Sequence, residues 1–559
     1  MPRPTHAPRR SAVMTEAATR ALSRSETAVA YHARTKHSLR RYASGPETLD
    51  WDAQPNPFRE FEGCDRVALE LMSQQPNTTY RQLYDPTSTA VTPLTIESVA
   101  SLLELSMALS AWKEQGPDRW ALRCNPSSGN LHPTEAYVLS RDVPGLDDGL
   151  YHYVCRDHML ERRCRYEKTT AGEARLWIGF SSIHWREAWK YGERAFRYCQ
   201  LDIGHALGAL RYAAAALGWT AKLVDLGSDE LAKLMGLDRR NDFRGAESEE
   251  ADLVLAIEPH RGSGSDAVHQ AVTVESPAAQ WMGRANVLDL HPLYRWPIID
   301  DVSVATRGRG ADESLLETKA YPPIGDAPDV QAATIILNRR SAQRFDPKFK
   351  MSAGTFYQIL DSLLFRPSMP WDVWDFLPRV HPIFFVHRVE GIEPGVYALP
   401  RREAAMPLLR QQLHSDFRWD RPSRCPAHLP FFRLAAADCR AIAKTVSCYQ
   451  AIASDSCFSL SMLCEFHSIV ELNAWRYRQL HWEAGLLGHI LYLEAEALGI
   501  RGTGIGCFFD DALHELLGLK TDQFQALYHF TVGRPIADTR ILTLPPYPAR
   551  KTDKVEHTA

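Results

Sequence analysis

Between Leu201 and Trp219 the apolar residues Ile203, Ala206, Leu207, Leu210, Ala214 and Leu217 recur every three or four positions. That period predicts an amphipathic helix with a buried face. The stretch from Leu480 to Leu498 is apolar nearly all round and predicts a second, more deeply buried helix. Gly204, Gly208, Gly485 and Gly488 fall inside these helices. Each costs about 1 kcal/mol against alanine in a helix interior, so close approach of the helices is the expected reason for them. Two extended apolar runs, HPTEAYVL from His132 and HPIFFVH from His381, predict strands, and each leads to a Gly-aliphatic-Tyr sequence, GLYHY from Gly149 and GVYAL from Gly395.

The pattern therefore occurs twice in the same order. KHSLRRY from Lys36 echoes RRSAQRF from Arg339; Asp202-Ile203-Gly204 stands before AALG as Glu483-Ala484-Gly485 stands before EALG; KLMGLD echoes ELLGLK. A period of roughly 280 residues is domain-sized, which points to an internal duplication and away from a solenoid. The expected organisation is a disordered tail over 1–30, a first domain over 31–260, a linker over 261–327 rich in Gly, Ser, Pro and scattered charge, a second domain over 328–545 and a tail over 546–559.

A length of 559 residues with 45% hydrophobic and 24% charged residues is ordinary globular composition, and too long for one typical core. The formal charge of -4 supplies no basic field of the kind nucleic acid requires. Eleven cysteines without a CxxC pair read as reduced thiols, hence a cytoplasmic address. No apolar run reaches the roughly 18 residues of a membrane span. No His, Cys and Asp cluster has the spacing of a zinc or iron site, and neither a GxSxG nor a phosphate-binding P-loop motif is present.

The quoted residues resemble those of the FMN-dependent nitroreductase superfamily, and the chain is similar to its SagB/ThcOx-type dehydrogenases in a tandem, fused form from about Tyr31 to Thr543. The resemblance implies an α+β fold: two nitroreductase-like domains forming an intramolecular pseudo-dimer, with antiparallel or mixed central sheets flanked by helices, in a monomer. It implies FMN as cofactor. It assigns flavin contacts to Pro126, Ser127, Ser128 and Asn130 of a Pro-Ser turn, to Arg339, Arg340, Ser341 and Arg344 of the basic stretch, to Gly502, Gly504, Ile505 and Gly506 of RGTGIG, and to Arg534 of GRP. Physical chemistry agrees with these residue types. Arginine grips phosphate with a rigid fork, and glycine lets backbone N–H groups approach a ring or an anion. By itself the glycine run is a weak signal: it follows a helix, and its plain alternative is a turn before the helix that Asp510 and Asp511 begin.

The halves are asymmetric. The first has the Pro-Ser turn but lacks glycines after its helix; the second has the glycines and the GRP but reads WDFLPRVHP before its strand. One composite flavin site follows as the expectation, with the other degenerate and Arg40 in KHSLRRY a relic. Gln343 stands where the family usually has its second arginine. Candidates for proton transfer are Lys190 and Tyr198, in WKYGERAFRYC, and His132 after the turn, each with ordinary packing as the plainer alternative. His205 is expected as a core histidine. The expected function is hydride transfer between flavin N5 and a small or peptide-bound substrate, including azoline to azole oxidation. Two alternatives remain open at this point: an NAD(P)H-dependent nitro or quinone reductase, and a flavin-free binding or scaffold protein that kept the fold.

Overall fold

The computed structural model describes residues 21–85, 87–167, 172–259, 280–309, 321–324 and 327–547. The apolar runs pair into two antiparallel sheets, one in each half. In the first half, Thr134–Arg141 lies between Gly149–Val154 and Arg175–Ser182, and the sheet continues through Glu250–Glu258 to Thr220–Leu223. In the second half, Val380–Val386 lies between Gly395–Ala398 and Phe458–Glu465, followed by Phe524–Gly533 and Arg501–Ile505. The two sheets share this strand order, and both are α+β layers with helices against the sheet.

The long helices are Ala195–Ala216 and Arg476–Ala497, and each starts before the expected residue. Their first turns carry buried arginines that obscure the apolar period. Arg197 donates to Asp510 at 2.9 Å, while Arg478 donates to Asp252 at 3.1 Å and Glu250 at 2.9 Å. Each arginine stands seven residues before its helix glycine, Gly204 or Gly485, and each reaches a carboxylate of the other half. The helices pack against each other at these glycines: a Cβ on Gly204 would fall on Trp482 O, and a Cβ on Gly485 on Leu201 O.

The ends of the chain differ from expectation. Helix Arg24–Arg34 lies partly in the stretch expected as a disordered tail. A capping box starts it, with Ser23 Oγ accepting from Glu26 N and the Glu26 carboxylate accepting from Ser23 N. The remainder of that tail, 1–20, lies outside the described residues, as does 260–279 of the expected linker. Later in the linker stretch, helix Pro297–Ala305 buries Ile299 and Val302 against the core. At the other end, Leu542–Leu544 crosses to the first half and pairs with Leu109–Gln115. Tyr547, placed in the expected C-terminal tail, donates to Cys155 O at 2.7 Å and accepts from Leu109 N at 3.0 Å. Among the described residues no helix is long and apolar enough to cross a membrane.

Candidate functional site

A cleft of about 1110 Å³ opens between the halves. One wall is the glycine-rich segment. It is an edge strand, Arg501–Ile505, rather than a loop, and it pairs with Phe524–Gly533. Its glycines answer to close packing: a Cβ at Gly504 would fall on the Tyr528 hydroxyl, and one at Gly506 on the Tyr198 ring. Tyr492 on the second long helix ties this wall together, its hydroxyl bonded to Ser341 Oγ at 2.8 Å and accepting from Gly504 N at 2.9 Å.

The facing wall is the turn from Asn125 to His132. Its small residues let the backbone turn left-handed three times, at Gly129 (φ 58°), Asn130 (φ 60°) and His132 (φ 54°). Such conformations cost roughly 1 kcal/mol or more for residues other than glycine. Hydrogen bonds hold them in place: His132 N donates to Ser127 Oγ at 2.9 Å, and Asn130 Nδ2 donates to Ala121 O at 2.9 Å. Ser128 aims inward instead, donating from N at 3.1 Å and from Oγ at 2.9 Å to the Asp202 carboxylate.

Asp202, not among the expected site residues, sits in the cleft on the first long helix, between Tyr198 and His205. Burial pushes its carboxyl up to about 7, against the lowering effect of the Ser127 and Ser128 hydrogen bonds. Tyr198, one helical turn earlier, lines the same region; burial raises its phenol, opposed by the neighbouring Arg194. His132 lines the cleft as a neutral ring, lowered by burial and by Arg123. His205, expected in the core, also lines it. Burial and Arg339 hold it down to about 3, and its Nε2 lies 3.1 Å from the Tyr528 hydroxyl.

The far end of the cleft gathers positive charge. Lys113, Arg339, Arg340 and Arg501 line it together with Glu496, which accepts from Arg501 Nε at 3.2 Å; Asp538, bound by Arg540 at 2.6 Å, also lines the cleft. Burial and the charge of Arg339 bring Arg340 down to about 10; burial, Arg340 and Arg501 lower Lys113. Arg339 donates to Cys124 O at 3.2 Å and Arg123 O at 3.3 Å, but its buried Nη1 has no protein partner.

Of the expected contact residues, Pro126, Ser127, Ser128, Asn130, Arg339, Arg340, Ser341, Gly504, Ile505 and Gly506 share this one cleft. Four expected site residues lie outside its lining. Lys190 places its Nζ 5.2 Å from the Trp51 ring centroid. Arg534 stacks on Phe349 at 3.9 Å. Arg344 is exposed and uses its carbonyl to accept from Ile536 N. Gly502 is packed behind the strand against Phe530. Nor do the two basic stretches hold matching places. Ala342 bonds to Gly502, whereas His37 bridges Phe509, so both stretches sit on the second half. The signal for the missed Asp202 and Tyr492 was a polar side chain on an apolar helix.

The position related to the cleft by the helix crossing is filled. Arg211, seven residues after Gly204 as Tyr492 is after Gly485, donates to both oxygens of Asp372 at 2.7 Å. Glu483, the counterpart of Asp202, is held by Arg401 and by Arg379 N at 3.0 Å, and Arg401 lies over the fully buried Trp371 ring.

No family model matches the chain. It is 27% identical over 137 residues to MJ1384 of Methanocaldococcus jannaschii, a protein assigned as a nitroreductase; the match covers 22% of this chain and 66% of that one. It is 25% identical over 236 residues to the trifolitoxin-processing protein TfxB of Rhizobium leguminosarum bv. trifolii, covering 38% of this chain and 58% of TfxB. A crystal structure from Anabaena variabilis, assigned as a nitroreductase, superposes with a TM-score of 0.65 at 22% identity over 91% of this chain and 99% of its own. The chain has a nitroreductase-like fold.

Proposed function

We propose that the chain is a fused pseudo-dimer that binds one FMN in the interdomain cleft and acts as an oxidoreductase of the SagB/ThcOx type. The observation that carries this reading is a cleft with four cations at one end, whose lining carboxylates Glu496 and Asp538 are bound by Arg501 and Arg540, and a serine turn bonded to a protonatable aspartate at the other. The donor set suits a phosphorylated flavin. Arg339 Nη1 is unpartnered, burial and Arg339 lower Arg340, and burial and Arg340 lower Lys113; none of the three forms an ion pair among the described residues, and a phosphate supplies an anion. Arg339, Arg340 and Ser341 would hold the phosphate end, and Ser127, Ser128, Asn130, Gly504, Ile505 and Gly506 the ring. The volume exceeds that of a usual ligand pocket, which leaves room for a substrate beside the ring.

When bound, the flavin supplies hydride exchange at N5. The chain supplies the proton. Asp202, with a carboxyl near neutral range, can hold it or release it at working pH, and the Ser128 bonds fix the direction of the carboxyl. Tyr198 stays protonated and serves as a hydrogen-bond donor. Lys190 would act only at a distance from the cleft. The toxin-processing relative supports a peptide-borne substrate, for which azoline oxidation is the fitting chemistry. The relative assigned as a nitroreductase favours the second reading, NAD(P)H-driven reduction of nitro compounds or quinones.

Titration of the purified chain with FMN tests the proposal. One flavin absorbing near 450 nm per chain is expected; two per chain, or none after addition of excess FMN, would refute it. Rapid bleaching by NADPH in stopped flow would select the second reading.

A further inference from the structure

Cys507 follows the glycine strand directly and lines the cleft beside Gly506. Its Sγ lies 2.7 Å from Cys448 Sγ. The two thiols come from segments far apart in sequence, and the fold ties those segments together on either side of the pair. Phe509 N donates to Val446 O at 2.8 Å, and Gln450 Nε2 donates to Cys507 O at 3.1 Å. Cys448 and Tyr449 are both left-handed, with φ of 52° and 59°, a conformation that costs non-glycine residues roughly 1 kcal/mol or more each. The kink is what turns Cys448 toward Cys507.

The surroundings are those of a reactive thiol. His37, whose Nδ1 accepts from Ala43 N at 2.8 Å, favours the charged form of Cys507. Arg194 donates to Gly506 O at 3.3 Å, and Arg194 and Arg197 together outnumber the one carboxylate they share, Asp510. The Cys448 hydrogen bond, then His37 and Arg194, hold Cys507 well below the usual thiol range, against its burial. Burial moves other thiols the opposite way: Cys155 is pushed up to about 11, and Cys124 and Cys457 to about 12. Both members of the pair remain partly exposed.

We propose that Cys448 and Cys507 are a reversible dithiol/disulfide couple at the wall of the cleft, and that it exchanges two electrons with small disulfides and thiols. Cys507 sulfur attacks one sulfur of the small disulfide, forming a mixed disulfide and expelling the first thiol. Cys448 sulfur then attacks Cys507 sulfur; the mixed bond breaks, the Cys448–Cys507 bond forms and the second thiol leaves. The two cysteine protons end on the two released thiols. The cysteines are oxidised by two electrons and the small disulfide is reduced by two. The couple needs no flavin, so its test is independent of the proposed function.

The test equilibrates the full-length chain anaerobically in glutathione buffers of graded reduced-to-oxidised ratio, followed by acid quench, alkylation with N-ethylmaleimide and peptide mass analysis. A Cys448–Cys507 cross-link that rises and falls reversibly across the series is expected. In Cys448→Ser, glutathione should accumulate on Cys507 at least tenfold more than it does on Cys448 in Cys507→Ser. Full alkylation of both cysteines in excess oxidised glutathione would overturn the proposal. So would a cross-link that persists in excess dithiothreitol, because that is a structural bond.

Discussion

Gly204 and Gly485 face each other where the two long helices cross, each lying where a Cβ of the other would project. Asp202 stands two residues before Gly204 on the same helix, and Ser128 of the cleft turn is bonded to it. Helix spacing and cleft geometry are therefore set at the same point. Gly485→Ala would drive a methyl group into Leu201 O and to within 2.8 Å of Gly204 Cα, both rigid backbone. A loss of about 3 kcal/mol is expected in urea denaturation, as for overpacking that the backbone must absorb. An unchanged midpoint would show that the helices separate freely.

The cation cluster makes a prediction about affinity. Arg340→Ala should weaken FMN binding tenfold to a hundredfold, as expected for loss of a charged hydrogen bond worth about 1.5–3 kcal/mol. Arg534→Ala should change it less than twofold, because that guanidinium stacks on Phe349 outside the cleft lining. Flavin fluorescence titration measures both, and the reverse order would move the phosphate end to the GRP segment.

Asp202 sets a pH dependence. Its folded value of about 7 lies above its ordinary 3.8, so the native state binds the extra proton between them. Stability from this group is fully present below pH 4 and falls as pH rises toward 7, by up to about 4 kcal/mol. Asp202→Asn lacks that slope. Denaturation of both flavin-free proteins at pH 5 and pH 8 should show the variant gaining relative to the parent at pH 8; parallel behaviour would mean that Asp202 titrates normally.

The C-terminal crossing is held by the Leu542–Leu544 ladder and by side-chain bonds of Trp112 and Tyr547. Tyr547→Phe removes the donor to Cys155 O and the acceptor of Leu109 N, with an expected cost of about 2 kcal/mol. A thermal shift of several degrees would register it. No shift would place water on those groups in solution.

Much of the scaffold could be read from the chain alone. The helix around Gly204, the helix around Gly485, the strands that begin at the two His-Pro pairs and the helix begun by Asp510 all lie where local spacing puts them. Misreadings cluster where a residue is stabilised from afar. Arg194 and Arg197 look like a polar helix approach, yet Arg194 caps the helix and Arg197 lies inside it, both buried because Asp510, more than 300 residues away, compensates their charge. The basic stretch at Lys36 looks like the one at Arg339, but similar composition does not specify which segment each packs against. Lys190 adjoins Tyr191, a cleft residue, but its amine, 5.2 Å from the Trp51 ring and 5.3 Å from the Tyr191 ring, is outside the cleft lining.

The sequence by itself determined where the long helices and the His-Pro strands lie, which faces are apolar, and that the second half alone carries the glycine run. Those properties arise from periods of 3.6 and 2 residues and from the missing Cβ of glycine, all local. Only the tertiary structure decided which charges are compensated: the Arg211–Asp372 and Arg401–Glu483 pairs fill one side of the helix crossing, while Arg339 and Arg340 face the open cleft on the other. Compensation depends on distances between residues remote along the chain, and those distances exist only once the two long helices have met.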